Sequence, residues 1–313
     1  LARQSVEGSL PIGRIRDLHA KILAALLRRD GETVPLARLV HHAVRAGDEA
    51  ATLRYAPTAA WQASALGAHR EAASLYQTSL SFTRQLSATT QAELFEDLAF
   101  ENYLIDNLDE ALQAREQATL IWERLGHYVR AGDCKRWLSR LYWALGNKKE
   151  AEKYADLAIE ILLKQPPGPE LAMAFSNKSQ LHMLSYEEEP ALEWGKRAIE
   201  LAEKLGATEI FVHAMTNVGS AESLRDPEGG HGKIVQALQV AREHEMHEHA
   251  ARCYANLTSN FIRSRQYREG QHWLEEGLEY MAVRDLDFYS VYLLGWQAQM
   301  FVDVGFTREQ LIA

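Results

Sequence analysis

Small residues return along this chain at intervals of about 40 residues, and that period constrains the fold before any other argument begins. Ala111, Ala151, Ala191 and Gly270 each follow a turn. Seven residues later comes a second column: Ser79, Ala118, Ala158, Ala198, Ala237 and Gly277. A third, twelve residues before the first, holds Ala99, Ser139, Ser179, Gly219 and Thr258. A large side chain in such a column would push adjoining helices apart, so these positions mark where backbones approach closely. One unit of two helices, stacked many times, is the architecture the period predicts.

Composition removes several alternatives. The chain has 313 residues, 47 % of them hydrophobic, which suffices for a continuous core, and only 8 prolines. Its net charge is −9, from 43 acidic and 34 basic residues. Nucleic-acid surfaces need a basic stripe to neutralise phosphates, so no direct DNA or RNA contact is expected. No apolar run approaches the roughly 20 residues of a membrane span, and no secretory signal opens the chain. Cys134 and Cys253 occupy one repeat position three repeats apart, with Ala174 and Ala214 between them. That separation is too great for a disulfide, whose Cα atoms lie within about 7 Å, so both read as small buried residues in a reducing, cytoplasmic compartment.

Each unit reads as a helix A and a helix B. In one unit these run near 169–184 and 190–205, with Pro190 legal at a helix start and Gly206 taking the left-handed cap. Leu125–Gly126 caps the same way two periods earlier, and Leu66–Gly67 and Leu145–Gly146 mark turns from A to B. The glycines at 229, 230 and 232 predict that 226–232 is a mobile A-to-B loop. Pro57 should kink a helical stretch over 48–66. Residues 1–46 are helical but off-register, a lead-in that reads as the tail of an upstream module. The solenoid occupies 47–313, with six good units from about 48 to 284 and a seventh whose turn at 304–309 is in register. Leu1 in place of Met, and a last repeat cut off at Ala313, predict a piece of a longer chain.

With the small columns, the Leu–Gly turns and the aromatics Tyr142 and Phe261 near the ends of helix A, the sequence resembles tetratricopeptide (TPR) repeats of the long-period kind over about 85 % of the chain. It departs from that pattern at Asn102, His182 and Glu222, where an aromatic is usual, so those units should pack less tightly. The stretches 18–26, 39–48, 55–60 and 66–73 further resemble the region downstream of the nucleotide switch in large bacterial LuxR-type, ATP-dependent transcriptional regulators. The resemblance implies an all-α fold: a right-handed, TPR-like superhelical solenoid of about seven antiparallel helix pairs. It also implies a sensor module that binds a protein, a peptide or a small effector. Any ATP site and any DNA-reading helix-turn-helix would belong to flanking modules, so no cofactor is expected in these residues. A free-standing scaffold for extended peptides is the alternative.

Motifs for catalysis or metal binding are weak. The run from Gly229 to Lys233 lacks the first glycine of a phosphate loop, which Pro227 occupies, and the following Ser or Thr, where Ile234 stands. His244, His247 and His249 fall at a turn between helices and read as solvated. His41 and His42 are neighbours on one helix, face different directions and are not expected to chelate together. Neither cysteine has a histidine at dyad spacing, and no enzyme or metal site is expected.

The binding expectation rests on helix A. Asp97, Trp137, Asn177, Asn217 and Asn256 recur at the repeat period, with Trp296 next in line. Arg136 sits beside this row, and Arg140, Gln180, Ser220 and Ser259 form a second row on the same face, three residues on. In TPR arrays helix A lines the concave groove, and Asn there resembles the residue that holds a peptide backbone through its donor and acceptor. The other reading is that these Asn bond neighbouring helices or face water. On the groove reading Asn177, Asn217 and Asn256 point into the groove, Arg136 and Arg140 supply positive charge, and loss of Asn217 weakens a partner without disturbing the fold. Tyr154, Trp194 and Trp273 share a column on helix B and are expected to pack between units.

Overall fold

The computed structural model describes residues 11–28 and 34–305, in fifteen α-helices and one short 3-10 turn, with no strand among them. In order these are α1 (Ile12–Leu27), α2 (Leu36–Ala46), α3 (Glu49–Ala65), α4 (His69–Leu80), α5 (Ala88–Leu104), α6 (Leu108–Leu125), α7 (Tyr128–Ala144) and α8 (Lys148–Leu162). They continue as α9 (Pro169–Leu184), α10 (Glu188–Leu205), α11 (Thr208–Glu222), α12 (Pro227–Glu243), α13 (His247–Arg263), α14 (Tyr267–Ala282) and α15 (Asp287–Asp303). The chain divides into two compact units, Leu1–Glu101 and Asn102–Ala313, with the border inside α5. No helix of the described residues is long and apolar enough to cross a membrane. The seventh turn expected at 304–309 and the readings of the chain ends lie mostly outside the described residues.

In the second unit each A helix packs on its own B helix and on the next A helix. The small columns sit at these contacts. Ala111, Ala118, Ala151, Ala158, Ala191, Ala198, Ser139 and Ser179 are all fully buried. Cys134, Ala174, Ala214 and Cys253 share a buried column as well, and both cysteines are free. Between them run apolar clusters such as Ile159, Leu162, Leu171 and Phe175, which join α8 and α9 to Ala198 of α10 and Ala214 of α11. Each large side chain so buried contributes about 1.5–3 kcal/mol. The first unit has a comparable cluster: Leu23 and Leu26 of α1 meet Leu39 and Ala43 of α2, with Ala51 and Tyr55 of α3 against them.

Turn geometry is uniform even where the sequence is not. Gly47, Gly67, Gly126, Gly146 and Gly206 take the left-handed conformation that ends a helix, the last four as their Leu–Gly context indicates. Asp106, Tyr186, Glu245, Arg265 and Asp285 adopt the same positive φ, between 48° and 61°, without glycine. The repeat imposes the turn, and glycine only makes it cheaper.

One expectation needs correcting. Residues 226–232 are the start of a helix, not a loop: α12 begins at Pro227, and Asp226 caps it by accepting from the Gly229 N–H at 3.0 Å. Gly230 serves a close helix contact, since a Cβ there would lie 2.5 Å from the Ser223 nitrogen and 2.6 Å from the Gly219 oxygen. Pro57 lies inside α3, which runs over Glu49–Ala65. The helix-B aromatics make ring contacts within their own units, and Trp194 also packs on the cluster that joins neighbouring units. Tyr154 stacks on Tyr142 at 5.3 Å, Trp194 on Phe175 at 5.5 Å, and Trp273 on Tyr254 at 6.2 Å, in each case joining B to its own A.

Candidate functional site

The A helices of the second unit surround a cavity of about 350 Å³. Its walls come from opposite ends of the unit: Tyr103 of α5 and Asp106 in the following turn, Arg140 and Trp143 of α7, Gln180 of α9, Arg252 and Asn256 of α13, and Phe288, Tyr289 and Tyr292 of α15. The repeat spacing puts Arg140 and Gln180 at one register on successive A helices, and a turn of the solenoid then carries α13 and α15 across from them.

A buried ionic cluster forms part of this wall. The Arg140 guanidinium donates to the Tyr103 hydroxyl, at 2.6 Å from one terminal nitrogen and 3.1 Å from Nε. It also donates to the Glu248 carboxylate and to the Tyr289 hydroxyl. Tyr103 donates to Tyr289 at 3.0 Å, and Tyr289 donates to Glu248. The guanidinium lies 4.9 Å from the centre of the Tyr103 ring and 5.4 Å from that of Trp137. Burial alone would raise the Glu248 carboxyl, but Arg140, His249 and the Tyr289 hydroxyl hold it down to about 2. Burial pushes the Tyr103 phenol up to about 12 against the opposing pull of Arg140, and it raises the Tyr289 phenol too. Both tyrosines therefore stay protonated and can donate.

Arg252 is a second buried cation beside this cluster. It donates to the His213 carbonyl at 3.2 Å and to Asn217 Oδ1, while its Nε has no partner. Burial and the nearby Arg140 lower its affinity for its proton, and burial with Arg252 drives His213 well below its ordinary value, so that ring is neutral. Gln180 Oε1 is likewise buried without a partner. At another part of the wall Asp106 is raised by burial and by Asp287.

Of the nine residues expected from the sequence, Arg140, Gln180 and Asn256 line the cavity and the other six do not. Asn177 and Asn217 point between helices rather than into a groove. Asn177 Nδ2 donates to Ser139 Oγ at 2.9 Å, and Asn217 Nδ2 donates to the Ser176 carbonyl at 2.8 Å and to its hydroxyl at 3.1 Å. Each Asn reaches back one repeat and ties an A helix to its predecessor, which is why the period preserves it. Asn256 makes the analogous link, accepting from Ser220 Oγ at 3.0 Å, but is half-buried and borders the cavity. Arg136 pairs with Asp133 at 2.6 Å and lies over Trp137 at 4.6 Å, and Arg140 is neutralised by Glu248, so neither supplies free positive charge. Trp296 packs with Tyr292 at 6.3 Å and Arg263 at 5.6 Å. His249, read as part of a solvated turn, is buried and Glu248 beside it is half-buried, because α13 begins there and packs inward. His249 bonds Glu209 at 2.9 Å.

Asn217→Ala therefore acts on the fold. It removes two donated bonds and one partner of the Arg252 guanidinium in a fully buried place, which should cost about 2–3 kcal/mol. Urea unfolding of the purified variant checks this. A loss below about 0.5 kcal/mol would show that the amide is dispensable there.

No protein-family model matches the chain, and no curated protein matches it. Solved structures do. The apo form of RapI is similar at TM-score 0.65 and 13 % identity, over 86 % of this chain and 98 % of that one. The Rap conjugation gene regulator of the plasmid pLS20, in complex with the Phr* peptide, is similar at TM-score 0.60 and 12 % identity, over 95 % and 98 %. A Rap protein complexed with competence and sporulation factor is similar at TM-score 0.59 and 16 % identity, over 90 % and 75 %. The chain is thus an all-α, TPR-like repeat solenoid.

Proposed function

We propose that the second unit is a binding module whose cavity receives a short peptide end or a small dipolar effector. The observation that carries this reading is the pair of buried, partnerless polar atoms, Gln180 Oε1 and Arg252 Nε, on residues that line one cavity. Burying such groups without partners costs about 1–3 kcal/mol each, a cost relieved when the side chains turn to meet a ligand. Arg140 and Arg252 outnumber the one carboxylate, Glu248, in the ionic cluster, so an entering carboxylate gains a counter-charge. Asp106, elsewhere on the wall, suits an amine. Trp143, Phe288 and Tyr292 offer flat apolar contact. At about 350 Å³ the space is near the lower end for ligand sites. It matches a few residues, not the long extended backbone that a ladder of Asn would hold. Two of the similar structures carry a peptide or factor, which supports the same class of ligand.

The cavity also supplies a signalling mechanism. Its walls run from Tyr103 to Tyr292, nearly the whole of the unit, so occupancy bears on how α15 closes against Tyr103 and α7. A ligand shifts that closure only by binding the closed arrangement better than the open one. Such a sensor is the part expected of a TPR region in a LuxR-type, ATP-dependent transcriptional regulator. The gene itself tests this finer reading, which requires a Walker-type loop upstream and a helix-turn-helix downstream.

Binding is tested with short peptides carrying a free or an amidated C-terminus, read by thermal shift and by Trp fluorescence, since Trp143 lines the cavity. Peptides with free carboxylates should bind, and amidation should weaken them. Gln180→Leu should cost about 1–2 kcal/mol of affinity while leaving the melting temperature nearly unchanged. Affinity that is indifferent both to amidation and to Gln180→Leu would place the ligand elsewhere.

A further inference from the structure

In the first unit, three imidazoles converge where α1 crosses α2. His19 and His42 are buried, with their Nδ1 atoms 2.9 Å apart, and His41 is exposed beside them. The ring centres form a near-equilateral triangle: 5.5 Å from His19 to His41, 5.0 Å from His19 to His42, and 5.1 Å from His41 to His42. One ring nitrogen from each lies within 4.8 Å of the other two. His41 and His42, adjacent on α2 and expected to face apart and not to chelate together, instead bring their ring centres to 5.1 Å. His19, from the opposing helix, enters between them and completes the chelate.

We propose that His19, His41 and His42 form a binding site for a divalent transition-metal ion of the zinc type. The spacing carries the argument. A zinc–imidazole bond is about 2.0–2.1 Å, which sets each ring centre about 3.2 Å from the metal and three tetrahedrally disposed centres about 5.2 Å apart. The observed triangle brackets that value. Coordination requires the two Nδ1 atoms to part from 2.9 Å to about 3.4 Å, a side-chain adjustment with no helix movement. In the hydrogen-bonded pair one Nδ1 carries a proton. When the metal takes both lone pairs, that proton moves to Nε2 of the same ring, so both rings bind as neutral imidazoles and none is released. An all-imidazole donor set favours zinc, copper or nickel over the hard ions magnesium and calcium. The exposed His41 provides the entry path and leaves the fourth position to water. Since α1 and α2 share the cluster of Leu23, Leu26, Leu39 and Ala43, the bound ion would clamp the first helical hairpin.

The test uses the full chain, treated with a chelator, dialysed and titrated with Co²⁺ and then Zn²⁺. One Co²⁺ per chain should bind with the intense visible bands of four-coordinate cobalt, and Zn²⁺ should displace it and raise the melting temperature. His41→Ala removes an exposed ligand without touching the core. It should weaken binding on the order of 100-fold with an unchanged circular dichroism spectrum, a loss at least that of removing an outer-shell partner. His19→Asn, a buried change, should abolish the cobalt bands and is read only if its helicity is intact. Absence of saturable binding below millimolar Co²⁺ would overturn the proposal. So would binding of equal affinity in His41→Ala, which would assign the ion to other histidines such as those of 244–249.

Discussion

Glu248→Gln should lower the stability of the second unit by about 3–5 kcal/mol, the largest effect expected of any polar substitution in this chain. The variant keeps the shape of the side chain but leaves Arg140 and Arg252 buried without a carboxylate between them. Acid should reproduce the effect in the wild type. The folded carboxyl is held at about 2, below the ordinary value of 4.5, so its contribution is fully present above about pH 4.5 and disappears as pH falls toward 2. That shift corresponds to about 3 kcal/mol, in line with the mutational figure. Urea titrations at pH 7 and pH 3 measure both. The two proteins should differ widely at pH 7 and much less at pH 3. Equal midpoints at pH 7 would show that the cluster is hydrated and weak. Replacing Arg140 and Glu248 together by Met should recover much of the loss, because the uncompensated charge is removed along with its partner.

Gly230→Ala should cost about 3 kcal/mol, the upper end for overpacking, and should act through backbone rather than side chains. The added methyl would meet the Ser223 nitrogen and Cα and the Gly219 oxygen at 2.5–2.6 Å, none of which can rotate away. α11 and α12 would have to separate, and the next repeat would tilt with them. Gly232→Ala is the control: it lies on the same helix, and its Cβ would meet nothing within 4 Å. It should be neutral or slightly stabilising, as Ala favours helix more than Gly does. Equal melting temperatures for the two variants would refute the close contact.

The signals for both sites were only partly present in the sequence. At Asp226, Pro227 and Glu228, a capping residue, a proline at the first helical position and an acidic first turn all announce a helix. Three glycines nearby suggest a loop, whereas the packing of Gly230 on Gly219 gives one of them a role inside the helix pair. For Asn177 and Asn217 the period identifies equivalent positions correctly. It does not say whether equivalent residues face a ligand or the preceding repeat, because both roles recur at the same spacing. Asn217 is fully buried, and Gln180, three residues past Asn177, is the one that reaches the cavity.

Sequence alone was enough for the helix pairs, their turns, the buried small columns and the all-α repeat solenoid, since each follows from side-chain size and spacing within one repeat and its neighbour. Only the tertiary structure brought Arg140 to Glu248, 108 residues away, and Tyr103 to Tyr289, 186 residues away. It likewise set His19 against His41 and His42 across two helices. Distant partners in a solenoid are chosen by its curvature, which sums small rotations over every repeat and is written at no single position.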